Sequence, residues 1–459
     1  MIHCINCSMW NGTEKVYIVG ICGISLSALA QILVSQGHEV WGSDLCPGEM
    51  GKKLSRLGIK VFSKHKKEYV KDADVVVYTA AASKDNPEIL WAKEQGKKVL
   101  SRAEVLGGLS KYYKNTIAIA GSHGKTTTTG MISTIFINAG FDPTVHIGGN
   151  FHKIGGNVRL GKSSVFITEA CEYCDSYLKL SPKTGVVLGI QADHLDYFKT
   201  LAGVQKSFER FVKRVKRRGA LIFNANCARC EKVSQNANCD VVGFSKKSDS
   251  DYSAKNLMPD RTGCFSFDCY EHQKFLGRVF LGTPGEHNVS NALAAIAVAR
   301  ANGIDFQTIS ESLSEFCGVE RRFELVGKLN GAKVYHDYAH HPTEISATIA
   351  TARLVSSGRL FVVFQPHTFS RTKSFFCQFA KSLAKADSVI TFPIYPAREN
   401  PLPGVTSDAL ASKVLEQKTP AVCLHTYRGV KNFLEKQVSQ NDLVLILGAG
   451  DIVGLCKLF

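Results

Sequence analysis

The residues best suited to chemistry form a Gly-Lys-Thr unit within "AGSHGKTTTT", residues 120 to 129. An apolar, strand-like run precedes it and a helix-like stretch follows it, so backbone N–H groups at a helix N-terminus could bind phosphate oxygens. Lys125 can then reach β- and γ-phosphates, and the Thr126 hydroxyl can join a Mg²⁺ shell. The pattern predicts a nucleotide site, although Ile119 stands where the general loop G-x-x-x-x-G-K-[ST] has its first glycine.

Two further strand-like runs lead to residue types that bind metals. The run "SSVFIT" leads to Glu169, and the run "TGVVLGIQA" leads to Asp193 and His194. Side chains just past the carboxyl ends of parallel strands converge on one crevice of an open sheet. We therefore expect Thr126, Glu169 and His194 to surround one metal ion beside the phosphate loop.

The elements that must position these residues are strands and helices in alternation. Short apolar runs alternate with helix-like patterns along the whole chain, which indicates an α/β fold with largely parallel sheets. "KVYIVG", "SLSALAQILVSQG" and "HEVWGSD" form a first β-α-β unit. Further strands are expected at "DVVVYTA", "TIAIAG", "KVYHDY", "LFVVFQ", "SVITFP" and "DLVLILGAGD". At roughly 150 residues per domain, 459 residues suggest three domains. We place them at 1–114, 115–318 and 319–459.

The composition favours a cytoplasmic protein without membrane insertion. The first 20 residues lack the charged, apolar and small-residue regions of a secretory signal, and no run approaches ~18 apolar residues. Fifteen cysteines in a long chain of this kind are expected to be reduced. Three C-x-x-C pairs occur, but they lack the spacing of a common zinc site: Cys4/Cys7, Cys171/Cys174 and Cys227/Cys230.

The formal net charge of +16 raises the possibility of a nucleic-acid partner. Its densest source is "SFERFVKRVKRRG", residues 207 to 219, where apolar residues at helical spacing predict one buried face and leave the cations on the others. Aromatic residues that would stack on bases are not interleaved with these cations. A solvated helix face is the favoured interpretation, and anionic small substrates would suit a basic surface equally well.

Taken in order, the motifs resemble those of the Mur ligases over essentially the whole chain. That family has the shorter loop G-[TS]-[HN]-G-K-T-[ST], which residues 121 to 127 match. The absence of glycine at Ile119 agrees with this shorter loop. The further matching blocks are "GEHNVSNALAA", "GVERRFE", "HDYAHHPTEI", "FQPHTFSRT", "YPAREN" and "GAGD".

The resemblance implies an ATP-dependent amide synthesis on three domains. It implies a Rossmann-like N-terminal domain for a UDP-sugar, a central P-loop domain for ATP and Mg²⁺, and a Rossmann-like C-terminal domain for an amino acid. The blocks are most similar to members that join L-alanine to the lactyl carboxylate of UDP-N-acetylmuramate through an acyl phosphate, in peptidoglycan precursor synthesis. Carboxylate and triphosphate repel, so cations must neutralise charge in that transition state.

The resemblance also implies roles for individual residues. The implied ATP-binding residues are Gly121, Ser122, His123, Gly124, Lys125, Thr126, Thr127, His287, Asn288, Asn291, Arg322 and Asp337. The implied catalytic residues are Lys125, Glu169, His194 and Arg371, with Thr126, Glu169 and His194 as metal ligands. The UDP-sugar residues are Gly20, Gly23, Asp44 and Ser83, and the amino-acid residues are His340, His367 and Arg371.

Departures from the family pattern affect two of these roles. Gly189 and Gln191 replace the Asn and Glu of N-I-E-x-D-H, which removes an anionic contact that a second metal would use. His336 stands where many members have Asp. Thr368 stands where some have Arg, so recognition of the amino-acid carboxylate would depend on Arg371.

Other functions remain open at this point. A related ligase that joins a whole tripeptide to UDP-N-acetylmuramate shares the phosphate loop. A basic P-loop ATPase acting on nucleic acid would use the same Lys125. A nicotinamide-dependent oxidoreductase would use "GICGIS", which has Cys22 and Ser25 where the dinucleotide fingerprint has glycines. We expect no nucleic-acid partner, and the sequence does not distinguish a monomer from a homodimer or L-alanine from glycine and L-serine.

Overall fold

The computed structural model describes residues 12–246 and 250–459. These residues divide into two compact units. The first contains the described residues up to Ser245, with Ser250–Tyr252 and Ala294–Ile309. The second contains Lys246, Ser253–Leu293 and Ser310–Phe459.

The N-terminal part of the first unit is a five-stranded parallel sheet with four α-helices. Its elements are β1 (Lys15–Val19), α1 (Ile24–Ser35), β2 (Glu39–Ser43), α2 (Gly48–Arg56), β3 (Lys60–Phe62), β4 (Val75–Tyr78), α3 (Pro87–Glu94), β5 (Lys98–Ser101) and α4 (Arg102–Tyr112). The strand order is β3-β2-β1-β4-β5, and every neighbouring pair is parallel. The direction of strand addition reverses between β1 and β4, which opens a crevice at their carboxyl ends.

The central part of the first unit is a second, larger sheet. Its elements are β6 (Asn115–Ala120), α5 (Lys125–Asn138), β7 (Thr144–Phe151), β8 (Gly156–Arg159), β9 (Val165–Glu169), β10 (Thr184–Val187), α6 (Leu195–Phe198), α7 (Leu201–Val212), β11 (Ala220–Asn224), α8 (Ala228–Ser234) and β12 (Asp240–Ser245). The order is β12-β11-β10-β6-β9-β7-β8. These strands are parallel except β8, which is antiparallel to β7. The strands that precede the phosphate loop, Glu169 and His194 are thus neighbours.

An antiparallel hairpin follows, which the expectation of largely parallel sheets did not include. The next elements are β13 (Tyr252–Pro259), β14 (Cys264–Glu271), β15 (Lys274–Pro284), α9 (His287–Ala301) and α10 (Phe306–Glu315). Strands β14 and β15 pair antiparallel around His272 and Gln273, which both have positive φ. Two such residues form the tight turn whose twist suits a hairpin. The alternating burial of β14 shows that one face of this hairpin is covered.

The C-terminal part of the second unit is a six-stranded sheet. Its elements are β16 (Glu324–Leu329), β17 (Ala332–Asp337), α11 (Pro342–Val355), β18 (Leu360–Phe364), α12 (Phe369–Ser374), α13 (Phe376–Leu383), β19 (Ser388–Thr391), α14 (Ser407–Leu415), β20 (Ala421–Cys423), α15 (Tyr427–Gln437), β21 (Leu443–Leu447) and α16 (Val453–Cys456). The order is β16-β17-β21-β18-β19-β20, with only β16 antiparallel to its neighbour. Strands β18 and β21 are buried throughout, as central strands of a parallel sheet are.

Most of the predicted elements are confirmed. Each apolar run that was predicted to be a strand is a strand. Within the three sheets, most parallel strands alternate with helices along the chain. The basic stretch at 207 to 219 does bury its apolar residues and expose cations, but helix α7 ends at Val212 and Val215 is buried in the turn beyond it. The cysteines within the described ranges are all free thiols; Cys4 and Cys7 lie outside those ranges. None of the helices described here is long and apolar enough to cross a membrane.

Candidate functional site

The phosphate loop joins β6 to α5 through two glycines in conformations that other residues rarely adopt. Gly124 is the N-cap of α5 with a φ of 84°. Gly121 has a φ of 144°, and a Cβ there would lie 2.9 Å from the Cβ of Leu188. Both positions therefore favour glycine. The turn leaves the N-terminal N–H groups of α5 free of intrahelical partners, as an anion site requires.

The same loop is bound to the segment after β10. The Ser122 N–H donates to the Gly189 carbonyl at 2.9 Å, and the Gln191 N–H donates to the Ser122 hydroxyl at 2.9 Å. The His123 Nε2 and Gln191 Oε1 atoms are 3.1 Å apart. The two residues that depart from the family pattern, Gly189 and Gln191, thus hold the phosphate loop against the segment that carries His194.

Lys125 begins α5, and its ammonium group is paired with a buried carboxylate. Its Nζ lies 2.9 Å from Oε2 of Glu172 and also donates to the Gly121 carbonyl. Burial alone would lower the pKa of Lys125, but the negative charge and hydrogen bond of Glu172, together with the charge of Glu169, outweigh it and raise that pKa. Lys125 is therefore a fixed positive charge at the start of the helix. Its neighbours Thr126 and Thr127 are buried in the first turn.

Three side chains beside this lysine form a group that could hold a cation. The ligand atoms of Glu172, Asp193 and His194 all lie within 4.8 Å of one another. Two carboxylates and an imidazole form a donor set that suits a divalent ion. His194 takes a left-handed conformation with a φ of 51°, and its N–H donates to Oδ1 of Asp193 at 2.8 Å.

Glu169 is the last residue of β9, at the strand end that the sequence predicts, and it contacts the backbone of β7. It is not one of the three residues of that group; its Oε1 accepts from the Gly148 N–H at 2.6 Å. It is still close enough to Lys125 to raise the pKa of the lysine. Glu169 therefore adds negative charge at the site while it binds the backbone of β7.

Sequence reasoning assigned no role to Glu172 or Asp193. Asp193 was visible at the end of its apolar run, directly before His194. Glu172 lies three residues beyond the end of β9, where the chain turns through Cys174 and Asp175, both with positive φ. The rule that functional side chains follow strand ends predicted Glu169, the last residue of β9, but not Glu172, which lies three residues further on.

The predicted UDP-sugar residues surround the loop after β1. Gly20 has a φ of 78°, and a Cβ there would lie 2.7 Å from the side chain of Thr79, so the loops after β1 and β4 touch. Gly23 is the N-cap of α1. Asp44 follows β2 and accepts from the Cys22 N–H at 3.1 Å. Ser83 is exposed in the loop after β4. The structure thus places these residues at the crevice where the strand order reverses.

A buried histidine joins this loop to the central sheet. His146 on β7 contacts the hydroxyls of Ser25 at 2.8 Å and Thr168 at 3.0 Å. Burial, aided by the charge of Arg102, lowers the pKa of His146 to about 3. The imidazole is therefore neutral and links α1 to the strand that ends in Glu169.

The residues expected at the adenine and ribose lie at the start of α9 in the second unit. His287 is exposed at the first position of the helix. Asn288 and Asn291 are buried. The Asn291 amide donates to Oδ1 of Asn288 at 2.8 Å, and the Asn288 amide donates to the Pro284 carbonyl at 2.6 Å. Both amides are held in fixed orientations.

Arg322 and Asp337 are close together in the second unit. Asp337 accepts the N–H groups of Phe323 and Ala339, each at 2.8 Å, so it fixes the backbone beside Arg322. Burial raises the pKa of Asp337 to about 6, against the opposing charge of Arg322. The Arg322 guanidinium lies 5.2 Å from the centre of the Tyr338 ring.

The three predicted amino-acid residues are brought together. The ring centres of His340 and His367 are 5.9 Å apart, and an Arg371 nitrogen lies 3.5 Å from Nδ1 of His367. Thr368, which stands where some family members have Arg, caps α12 by accepting from the Arg371 N–H at 3.4 Å. Two imidazoles and one guanidinium form a surface that suits a small carboxylate.

The fold and the site define an α/β nucleotide-binding protein in which a P-loop lysine lies beside three side chains that could hold a cation. Three family models match the chain: the Mur ligase family catalytic domain at 15–114, the Mur ligase middle domain at 119–299, and the Mur ligase glutamate ligase domain at 321–450. The chain belongs to the Mur ligase family.

Individual relatives are similar over nearly the whole chain. The UDP-N-acetylmuramate–L-alanine ligase of Clostridium tetani is 44% identical, over 97% of this chain and 98% of the relative. The crystal structure of UDP-N-acetylmuramate-alanine ligase from Thermotoga maritima has a TM-score of 0.82 at 28% identity, over 97% of this chain and 98% of that one. A murein peptide ligase from Psychrobacter arcticus shares the fold, with a TM-score of 0.72 at 24% identity over 97% and 98% of the two chains.

Proposed function

We propose that this protein is an ATP-dependent ligase that joins L-alanine to the lactyl carboxylate of UDP-N-acetylmuramate. The products are UDP-N-acetylmuramoyl-L-alanine, ADP and phosphate, in cytoplasmic synthesis of peptidoglycan precursors. The observation that carries the proposal is the 44% identity to an L-alanine ligase over 97% of the chain. The phosphate loop beside Glu172, Asp193 and His194 supplies the matching chemistry.

The first step is the transfer of the γ-phosphoryl group to the lactyl carboxylate. A carboxylate oxygen attacks the γ-phosphorus, the bond to the ADP oxygen breaks, and an acyl phosphate forms. Both reactants are anionic, so the barrier is largely electrostatic. Lys125, at the start of α5, would neutralise this charge, and the N–H groups of the same helix start would bind the phosphate oxygens.

Mg²⁺ would be held by the same part of the site. The donor set fits it, since Glu172 and Asp193 offer carboxylate oxygens near His194, and the Thr126 hydroxyl lies in the first turn of α5. When bound, the ion would screen the negative charge of the phosphate oxygens. Glu172 would then exchange its contact with Lys125 for the cation, which would leave the lysine available to the nucleotide. We also propose Glu169 as a metal ligand. Its carboxylate would then give up the hydrogen bond from the Gly148 N–H and bind the ion instead.

The second step is attack of the L-alanine amine on the acyl phosphate. The amine nitrogen bonds to the acyl carbon, a tetrahedral intermediate forms, and phosphate leaves as the amine loses a proton. Arg371 can bind the L-alanine carboxylate, and His340 and His367 lie beside it. These contacts would orient the amine, which is the main contribution that a binding site makes to such a step.

The remaining assignments follow from the same proposal. We assign residues 1–114 to UDP-sugar binding, 115–318 to ATP and Mg²⁺, and 319–459 to the amino acid. UDP-sugar contacts are assigned to Gly20, Gly23, Asp44 and Ser83. In the phosphate loop, nucleotide contacts are assigned to Gly121, Ser122, His123, Gly124, Lys125, Thr126 and Thr127. Outside the loop, they are assigned to His287, Asn288, Asn291, Arg322 and Asp337. We propose that the protein works as a monomer or homodimer and without nucleic acid.

Phosphate release with defined substrates tests the proposal. The purified protein is supplied with ATP, Mg²⁺ and UDP-N-acetylmuramate, and then with L-alanine, glycine, L-serine or the L-alanyl-γ-D-glutamyl tripeptide. We expect release that requires both the UDP-sugar and L-alanine. Release with the tripeptide and not with L-alanine would identify the tripeptide ligase instead. Hydrolysis stimulated by DNA or RNA and indifferent to the UDP-sugar would contradict the ligase assignment.

A further inference from the structure

A second group of potential metal ligands lies in the C-terminal sheet, away from the phosphate loop in sequence. Asp408 is in the first turn of α14, Cys423 is the last residue of β20, and His425 follows two residues later. We refer to these three residues as the Cys423 cluster. Their ligand atoms all lie within 4.8 Å of one another.

The donor types of the Cys423 cluster select one class of ion. It offers one thiol, one imidazole and one carboxylate. Mg²⁺ and Ca²⁺ prefer oxygen ligands, whereas sulfur together with imidazole suits Zn²⁺ and similar transition-metal ions. Three protein ligands with a fourth position left to water is a common zinc arrangement.

The spacing of the donors is close to what such an ion needs. Bond lengths of about 2.0–2.3 Å in a tetrahedral site put neighbouring ligand atoms about 3.5 Å apart. Oδ1 of Asp408 and Nε2 of His425 are 3.5 Å apart. The Cys423 sulfur lies within 4.8 Å of a ligand atom of each of the other two residues. Small side-chain rotations would therefore complete the site without movement of the backbone.

The two segments that carry the ligands are fixed to the same strand. Thr391, at the end of β19, pairs with Cys423, and its carbonyl accepts from the Leu424 N–H at 3.0 Å. The Thr391 hydroxyl donates to the Ser407 carbonyl at 2.9 Å. The Ser407 hydroxyl donates to the Phe392 carbonyl at 2.7 Å. The start of α14 and the end of β20 thus keep their separation whether or not an ion is bound.

The cysteine itself is held in the sheet by its pairing with Thr391. The backbone that carries the thiol is therefore in place before an ion binds, which favours a metal site. An ion would displace the thiol proton and gain a thiolate ligand.

Solvent and small ligands can reach the Cys423 cluster. Asp408 and His425 are each 62% exposed, so an ion can enter and the fourth position faces water. His425 also lines a cavity of about 440 Å³ with Gln365, Tyr395 and Asp451. A ligand atom in that cavity could therefore approach an ion held by His425.

We propose that Asp408, Cys423 and His425 bind a zinc-class divalent ion with one coordination position open to solvent. This site is separate from the Mg²⁺ group that contains Glu172, and it uses sulfur where that group uses oxygen and nitrogen. It does not depend on the ligase assignment. The alternative is an exposed Asp408–His425 ion pair beside an unrelated thiol.

Cobalt titration of the metal-stripped full-length protein tests the site, because Co²⁺ bound to a thiolate gives a near-ultraviolet charge-transfer band. We expect one equivalent of Co²⁺ to produce this band and Zn²⁺ to displace it. Cys423→Ser is expected to abolish the band. His425→Ala and Asp408→Asn, which change exposed residues, are expected to weaken binding at least ~10- to 100-fold, the loss seen when a mere supporting contact is removed.

Cys317→Ser is the control, because Cys317 is an exposed thiol of the second unit that lies outside the Cys423 cluster. It is expected to leave the band and the affinity unchanged. Thermal unfolding without metal checks that each variant is folded. No band in the wild type, or the same band and affinity in Cys423→Ser and His425→Ala as in the wild type, overturns the proposal.

Discussion

Glu172→Gln tests the ion pair between Glu172 and Lys125, which the structure shows and the sequence did not predict. Glu172 is 2% exposed and lies 2.9 Å from Nζ of Lys125, which is 17% exposed. Removal of one charge from a buried pair costs about 3–5 kcal/mol. Glutamine keeps an oxygen acceptor, so we expect a loss near the lower limit, about 3 kcal/mol. At about 2–4 °C per kcal/mol, the melting temperature without ligands should fall by about 6–12 °C.

The same substitution should also weaken the response to Mg²⁺. It removes one of two carboxylates from the group with Asp193 and His194, so the Mg²⁺ concentration for half-maximal phosphate release should rise at least ~10-fold. His194→Ala should act in the same direction. Glu231→Gln, on the exposed side of α8, is the control. A Glu172→Gln protein with the melting temperature and Mg²⁺ titration of the wild type would refute this reading of the site.

Three other predictions concern single side chains. Lys125→Ala should abolish amide formation, because charge neutralisation at the γ-phosphate is lost; near-normal turnover in the phosphate assay would overturn the assignment of the loop. Arg371→Lys should raise the KM for L-alanine about 10-fold with a smaller effect on ATP, since one cation–carboxylate contact is worth about 1.5–3 kcal/mol; equal changes in both KM values would contradict this. The pKa of His146 is about 3 in the folded protein and 6.5 in the unfolded chain. Its contribution to the free energy of unfolding is therefore complete above pH 6.5 and is lost as the pH falls toward 3. Between pH 7.5 and 5 that loss is about 2 kcal/mol at 1.36 kcal/mol per pKa unit. Urea unfolding of His146→Gln should show a correspondingly weaker pH dependence, and an unchanged one would refute this attribution.

Local patterns were enough to predict the phosphate loop and the strands that feed it. Gly121 and Gly124 occupy conformations that favour glycine, and Lys125 begins a helix directly after them. His194 follows a strand that pairs with β6, as the strand-end rule requires. These features depend on residues that are adjacent in sequence or on pairing between apolar runs, so a single sequence contains the signal.

The contacts that complete the site depend on distant residues and carry no local signal. His146 meets Ser25 across 121 residues of sequence. Glu172 pairs with Lys125 across 47 residues of sequence, from a position three residues beyond the end of β9. The β14–β15 hairpin was not anticipated either: Phe265, Phe267 and Cys269 alternate with polar residues as in a strand, but the turn, His272 and Gln273, lacks the glycine that commonly marks a hairpin. The Cys423 cluster needs the pairing of β19 with β20 before its members can meet.

The central claim is that the lactyl carboxylate is activated by phosphoryl transfer at the Lys125 loop. The most direct test is to label both carboxylate oxygens of UDP-N-acetylmuramate with ¹⁸O and to analyse the phosphate released with ATP and L-alanine. In an acyl phosphate, one carboxylate oxygen is bonded to phosphorus and the other is the carbonyl oxygen. When the amine displaces phosphate, each phosphate should therefore leave with one ¹⁸O atom, and the amide should retain the other. Unlabelled phosphate, with amide formed at the normal rate, would contradict the mechanism.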